Sequence, residues 1–426
     1  MDGIGRREQG LLYARGTYGH KPKVPVDADR LYEAAHKVMS PKAWGYVAGS
    51  AGRNRTDKAN QAAFERYPIV PRMLRDVSKR PMGVSLFGVD YASPLLFAPI
   101  GVLEMAHPEA ESAVAKASRE LDIPMVLSTQ GSTPMETVAK ALGPTKFWYQ
   151  LYWSNVDALA KSLVQRAEAA GAKVLVVTLD THAMGWRCMD LDEGFLPFAL
   201  GQGIAQYTSD PVFLQLAAAR VSSGKGSAAP PQRPTLSALW GLASIVGHYP
   251  GKWIDKLFSP LPQAAVHSFL DVFPCPHLTW KDLAKLREWT SLPIVLKGIQ
   301  CAEDARTALE HGVDGIGVSN HGGRQVDGGI AALDSLEEIS REVGGKVPII
   351  FDSGIRNGAD VFKALALGAD AVLIGRPWLF GLAIDGAQGA RDVMARIAAE
   401  LDLTMGLAGV AGVREINREC VRIPKA

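Results

Sequence analysis

The sequence predicts an α/β fold, a (β/α)8 TIM barrel with an N-terminal helical cap and a long insertion after the fourth strand. Three observations carry this reading. Short apolar runs recur from about residue 94, at residues 95–98, 125–128, 147–151, 174–179, 294–297, 315–319, 349–352 and 371–375. Between most of them lie stretches such as 108–121, 156–170, 302–311 and 360–367, where apolar residues return at three- and four-residue steps. The runs are apolar throughout, as strands buried on both faces of a parallel sheet are. A doubly wound open sheet shares the alternation and stands as the alternative.

Taken in order, residues 1–27 read as an N-terminal arm and 28–426 as the barrel domain. Residues 28–93 predict helices and a short hairpin that close the barrel floor. The insertion, residues 190–278, separates the fourth and fifth strands. Its first part holds Phe195, Phe198 and a Gly-rich turn, and its middle, 221–233, is rich in Ser, Gly, Ala and Pro and is expected to be mobile. Its later part is apolar and Trp-bearing. Long loops of this kind serve as lids or interfaces. A membrane-surface segment is the alternative, because Trp253, Ile254, Leu257 and Phe258 could share a face flanked by Lys252 and Lys256.

Composition excludes several classes. A formal charge of +2 on 426 residues, with no basic run, gives nucleic acid nothing to bind. Four scattered cysteines have no metal-ligand spacing and imply a reducing, cytoplasmic setting without a metal. The N-terminus lacks the apolar stretch of a secretory signal, and the C-terminus matches no address or lipidation signal. No run approaches the roughly 20 apolar residues that cross a bilayer.

Barrel enzymes place their chemistry at the C-terminal strand ends. Here those ends carry Ser128, Gln150 with Tyr152, Thr178 with Asp180, Lys297, His321 with Arg324, Asp352, and Gly375 with Arg376. A purely structural barrel has no reason to set polar groups at nearly every strand end. The segment Ser319-Asn320-His321-Gly322-Gly323-Arg324-Gln325 pairs a base that works near neutral pH with a planar fork that grips a carboxylate. A lone His-x-x-Arg is as easily a solvated turn; the surrounding strand ends argue otherwise. Asp352-Ser353-Gly354-Ile355-Arg356 and Gly375-Arg376-Pro377 end the seventh and eighth strands, where barrels commonly hold a phosphate. No complete dinucleotide fingerprint or P-loop occurs, so a group with one phosphate, such as FMN, fits best. Lys297 should face an anion; a Schiff-base lysine of an aldolase-like barrel is the competing reading.

These residues together resemble the FMN-dependent 2-hydroxy-acid oxidases and dehydrogenases, from about Tyr32 to Ile416 apart from much of the insertion. The resemblance implies His321 as the base, Asp180 as its orienting partner, and Arg324, Arg187 and Tyr46 on the substrate carboxylate. It implies Tyr152 on the hydroxyl and Lys297 beside the flavin. Pro99, Ile100, Gly101, Ser128, Gln150, Thr178, Ser319 and Asp352 would surround the ring. Gly354, Arg356, Gly375 and Arg376 would hold its phosphate.

Within the family the chain looks most like lactate 2-monooxygenase. Three features carry this: Ala98-Pro99-Ile100-Gly101, Gly185-Trp186-Arg187 followed by Asp190-Leu191, and the insertion with Thr208-Ser209-Asp210-Pro211-Val212-Phe213. That likeness implies an L-2-hydroxy acid and O2 as reactants, a 2-oxo acid retained under a closed lid, and room beside the flavin at Gly101. It also implies a homo-tetramer or larger ring. Oxidases that release the 2-oxo acid, and a flavin protein without turnover, are the alternatives. The chain departs from the family at Gln130, where relatives often carry an aromatic or aliphatic residue facing the substrate side chain.

Overall fold

The computed structural model describes residues 3–224 and 235–422. Ahead of the barrel, β1 (Val84–Leu86) and β2 (Val89–Tyr91) form an antiparallel hairpin. Its two-residue turn, Phe87-Gly88, has φ of 53° and 73°, the left-handed pair that matches strand twist. Eight parallel strands then close a barrel: β3 (Leu95–Phe97), β4 (Met125–Ser128), β5 (Phe147–Leu151), β6 (Leu175–Thr178), β7 (Ile294–Ile299), β8 (Gly315–Val318), β9 (Ile349–Phe351) and β10 (Ala371–Ile374). They pair in chain order and β10 closes on β3, so the open-sheet alternative falls. Nearly every strand residue is buried, which is why the runs showed no alternation.

Register sets the rim. Ser128 lies beside Gln150, and Thr178 beside Lys297, so polar groups from neighbouring strands stand at one level. A register shift follows Lys297, at Gly298. Gly298 has φ of 111°, and a Cβ there would lie 3.1 Å from the Asp180 Cβ. Glycine is needed at this position both for its backbone conformation and to admit Asp180.

The residues before the barrel divide between its two ends. The hairpin closes the floor as expected: the Phe87 ring fills the space beside Gly315 at the start of β8, and Trp148 of β5 donates to the Tyr91 hydroxyl at 2.9 Å. The helices Pro41–Ala48 and Arg55–Glu65 do not. They sit at the opposite mouth, where Tyr46 and Val47 line the cavity and Asn60 exchanges hydrogen bonds of 2.8 and 2.7 Å with Asn320. Hydrophobic periodicity shows that a helix is amphipathic, not which end of a barrel it covers. The N-terminal arm is a helix, Ile4–Thr17, that packs on the long C-terminal helix, with the Gly5 amide donating to Asp402 at 2.9 Å.

The insertion is helical, not a structureless loop. Its longer helices are Pro211–Ser222, Leu236–His248 and Leu261–Val272. Most of the stretch expected to be mobile, residues 225–233, lies outside the described residues. Trp253, Ile254, Leu257 and Phe258 are exposed. Lys256, however, is buried and donates to the carbonyls of Tyr249 and Gly247, at 2.7 and 3.3 Å, at the C-terminal end of helix Leu236–His248. The basic flank expected of a membrane face is therefore half missing. Among the described residues no helix is long and apolar enough to cross a membrane.

Candidate active site

One cavity opens at the C-terminal mouth; its empty space, counted out into the open mouth, is about 1080 Å³. Strand-end residues, the first helices and the insertion all line it.

His321 leaves β8 in a left-handed conformation, φ 58°, followed by Gly322 and Gly323 at 62° and 75°. Non-glycine residues adopt this region at a cost, and such strain gathers at functional sites. The turn is held from beneath. The His321 amide donates to Ser319 Oγ at 3.0 Å, and the Gly322 amide to Ser353 Oγ at 3.0 Å. His321 Nδ1 lies 2.8 Å from Asp180 Oδ1, which leaves Nε2 for a substrate. Thr181 donates to the same carboxylate oxygen at 2.9 Å and stands 3.3 Å from His321 Nδ1. Burial pushes His321 below its usual range against the pull of Asp180, so the imidazole is neutral at pH 7. Burial would raise Asp180, but the His321 and Lys297 charges and the Thr181 hydrogen bond hold it down to about 2. A neutral base beside a fixed anion is the arrangement that accepts a proton and stabilises the resulting cation.

Arg187 and Arg324 form a positive pocket beside it. Both are buried or nearly so, and among the described residues neither has a carboxylate within ion-pair distance. Arg324 donates to the Tyr46 and Gly49 carbonyls at 2.5 and 2.8 Å, with its guanidinium 5.2 Å from the centre of the Tyr46 ring. Arg187 donates to Gln325 Oε1 at 3.1 Å. Burial and the Arg187 charge push Arg324 down to about 9. Two cations this close and this dry call for an anion. Burial raises the phenols of Tyr46 and Tyr152, which keeps both as donors.

The opposite wall tests the fit of FMN. Ser128 donates to Gln150 Oε1 at 3.0 Å, and Gln150 Nε2 and Thr178 Oγ1 are buried without a protein partner. Those orphan groups suit the donor and acceptor edge of an isoalloxazine. Lys297 Nζ joins them. It donates to Ser319 Oγ at 2.8 Å and pairs with Asp352 at 3.0 Å. Burial would lower it, but Asp352 and Asp180 keep it cationic, which removes the Schiff-base reading. A Cβ at Gly375 would reach only ordinary contacts with Ala98 and Ile100, so the backbone there is open to a ligand. Gly375 caps the N-terminus of helix Arg376–Ala408, where an anion is favoured.

One expectation changes. Arg376 spends all five N–H groups on the protein: the carbonyls of Val47, Gly49 and Gly322, the Ser50 hydroxyl and Asp57. It clamps the first helices to the rim and offers a phosphate its charge. Arg356, whose guanidinium among the described residues donates only to its neighbour's carbonyl and lies 3.7 Å from Asp57, retains donors. Gly101 lines the cavity, and a Cβ there would lie 2.8 Å from Gln130 Cβ and 3.0 Å from its carbonyl oxygen, so glycine is what admits Gln130 at this point. Pro99 and Ile100 line the cavity as expected.

A model of the FMN-dependent dehydrogenase family matches residues 35–423. The chain belongs to that family. It is 42% identical to an FMN-dependent alpha-hydroxy acid dehydrogenase of Penicillium citrinum, over 97% of this chain and 95% of that protein. It is 40% identical to an L-lactate oxidase of Lysinibacillus sphaericus, over 92% of each. A crystal structure of mandelate oxidase with (S)-4-hydroxymandelic acid superposes with a TM-score of 0.75 at 33% identity, covering 93% of this chain and 98% of that one. The family fixes FMN as the cofactor and oxidoreduction as the chemistry, and the orphan groups of the rim accommodate that cofactor.

Sequence reasoning missed Thr181, Gln325 as the brace of Arg187, Asp57 beneath the two phosphate-side arginines, and the Asn60–Asn320 pair. Thr181 adjoins Asp180 and could have been suspected. The others depend on helices that only the fold brings to the rim.

Proposed function

We propose that the protein oxidises an L-2-hydroxy acid to the 2-oxo acid, with O2 as the final electron acceptor. One observation carries this: a neutral imidazole, braced by Asp180 at 2.8 Å, shares a cavity with two largely buried arginines that make no ion pair among the described residues. Arg187, Arg324 and Tyr46 hold the carboxylate. Tyr152 donates to the substrate hydroxyl. His321 Nε2 takes the proton, and Asp180 stabilises the imidazolium through Nδ1. FMN would supply the acceptor for the electron pair. Lys297 would supply positive charge beside it, Ser128, Gln150 and Thr178 would orient it, and Gly354, Arg356, Gly375 and the charge of Arg376 would hold its phosphate.

Oxidative decarboxylation of a retained 2-oxo acid, consuming O2 and giving the shortened acid, CO2 and water, is favoured by a single feature. Phe198 and Phe273 of the insertion wall the cavity and would slow product escape. Aerobic product analysis separates the outcomes: CO2 with little peroxide, or free 2-oxo acid with peroxide. We assign the protein to the cytoplasm as a tetramer or larger assembly; light scattering tests the latter.

The founding experiment is anaerobic reduction by L-2-hydroxy acids. His321→Gln should bind FMN and resist reduction. Normal bleaching of that variant would refute the assignment of the base.

A further inference from the structure

The cavity has a charged end and an aromatic end. Phe273 meets the Tyr152 ring edge-on at 5.5 Å, and Phe198 meets Tyr46 at 6.4 Å. The wall thus starts at the two tyrosines that reach the carboxylate and hydroxyl, and it leads away from them. An acid held by those groups has one substituent left, its side chain, and this wall is where that substituent lies. Gln130 also lines the cavity, and its carbonyl lies against the insertion, 3.1 Å from where a Cβ at Gly203 would stand. Its backbone is fixed: the amide donates to Ser128 Oγ at 3.1 Å and the carbonyl accepts from Val102 at 2.9 Å. The residue is only 6% exposed. Yet among the described residues its side-chain amide makes no hydrogen bond, although it lines the cavity. Buried Gln206 is satisfied at both ends, by the Met135 amide at 2.9 Å and the Thr133 carbonyl at 2.8 Å. An amide that faces the cavity and is not committed to the protein is free to pair with a polar group of a ligand there.

We infer that Gln130 is a specificity-determining residue that hydrogen-bonds a polar group on the substrate side chain. The preferred substrates are then L-2-hydroxy acids with a flat or bulky side chain carrying a hydroxyl or carbonyl, over their hydrocarbon counterparts. This rests on the 2-hydroxy-acid reading above.

The test uses the holoenzyme and matched pairs: L-lactate with L-glycerate, (S)-mandelate with (S)-4-hydroxymandelate, and L-phenyllactate with L-4-hydroxyphenyllactate. The readout is kcat/KM for flavin reduction. At least one pair should favour the hydroxylated member by about tenfold or more. Gln130→Met keeps the chain length and removes the amide, and should bring that ratio to about one. The FMN Kd and the flavin absorption spectrum of the variant should match the parent. Ratios near one for every pair, or a preference that survives Gln130→Met, overturn the proposal. So does a large change in FMN Kd with an unchanged ratio, which assigns the amide to the cofactor. Reduction by none of the acids removes the underlying reading as well, an outcome distinct from equal ratios.

Discussion

Replacing Asp180 by Asn isolates the charge behind the base. Asp180 Oδ1 faces His321 Nδ1 at 2.8 Å and accepts from Thr181 at 2.9 Å, and an amide oxygen in the same place accepts both. Geometry is therefore kept while the negative charge goes. A buried hydrogen bond to a charged group contributes about 1.5–3 kcal/mol. That stabilisation matters most when His321 becomes a cation, so the loss falls on the reaction barrier. At 1.36 kcal/mol per tenfold it slows flavin reduction by about 10- to 150-fold. The pH profile gives a second, signed readout. Burial holds His321 below its usual range, while Asp180 pulls it up. The base works deprotonated, so the parent rate rises with pH through a midpoint below the ordinary histidine value and then levels. Without the carboxylate that acid limb moves to still lower pH. Anaerobic stopped-flow reduction across pH measures both. A rate within about threefold of the parent, or a limb that stays put or moves up, would refute the coupling.

Other outcomes follow from the same geometry. Arg187→Met removes one of the two arginines that face the substrate carboxylate, and should raise KM by about tenfold or more with FMN affinity kept, read by steady-state kinetics and fluorescence titration. Lys297→Met strands the Asp352 carboxylate that Lys297 meets at 3.0 Å, and should cost about 3–5 kcal/mol of stability by urea denaturation, beyond any loss of rate. Gly101→Ala drives a methyl to within 2.8 Å of Gln130 Cβ and should cost about 1–3 kcal/mol; Gln130→Gly in the same chain should restore part of it. Arg376→Met should loosen the segment around Val47–Ser50, seen as faster amide exchange there, because three of its five N–H groups hold that segment to the rim.

Much of the site could be read in the sequence, for a definite reason. A parallel barrel buries both faces of its strands, so each strand is a plain apolar run, and the first polar residue after it marks the active rim. That logic found Ser128, Gln150, Thr178, Asp180, Lys297 and His321. It also set the strand boundaries within a residue or two. It could not see what comes to the rim from elsewhere. Tyr46 and Asp57 lie on helices whose apolar patterns suit either end of the barrel, and Phe198 and Phe273 lie far apart in an insertion with no period of its own.

The barrel, its strand order and the candidate base were legible in the chain, because burial period and residue chemistry are local properties. Which groups remain unsatisfied emerged only from the packing. Arg376 proved spent on protein groups, Gly101 proved to abut Gln130, and Gln150 Nε2 proved to lack a partner among the described residues. Whether a hydrogen-bonding group has a partner depends on every residue packed around it, and those residues come from all parts of the chain.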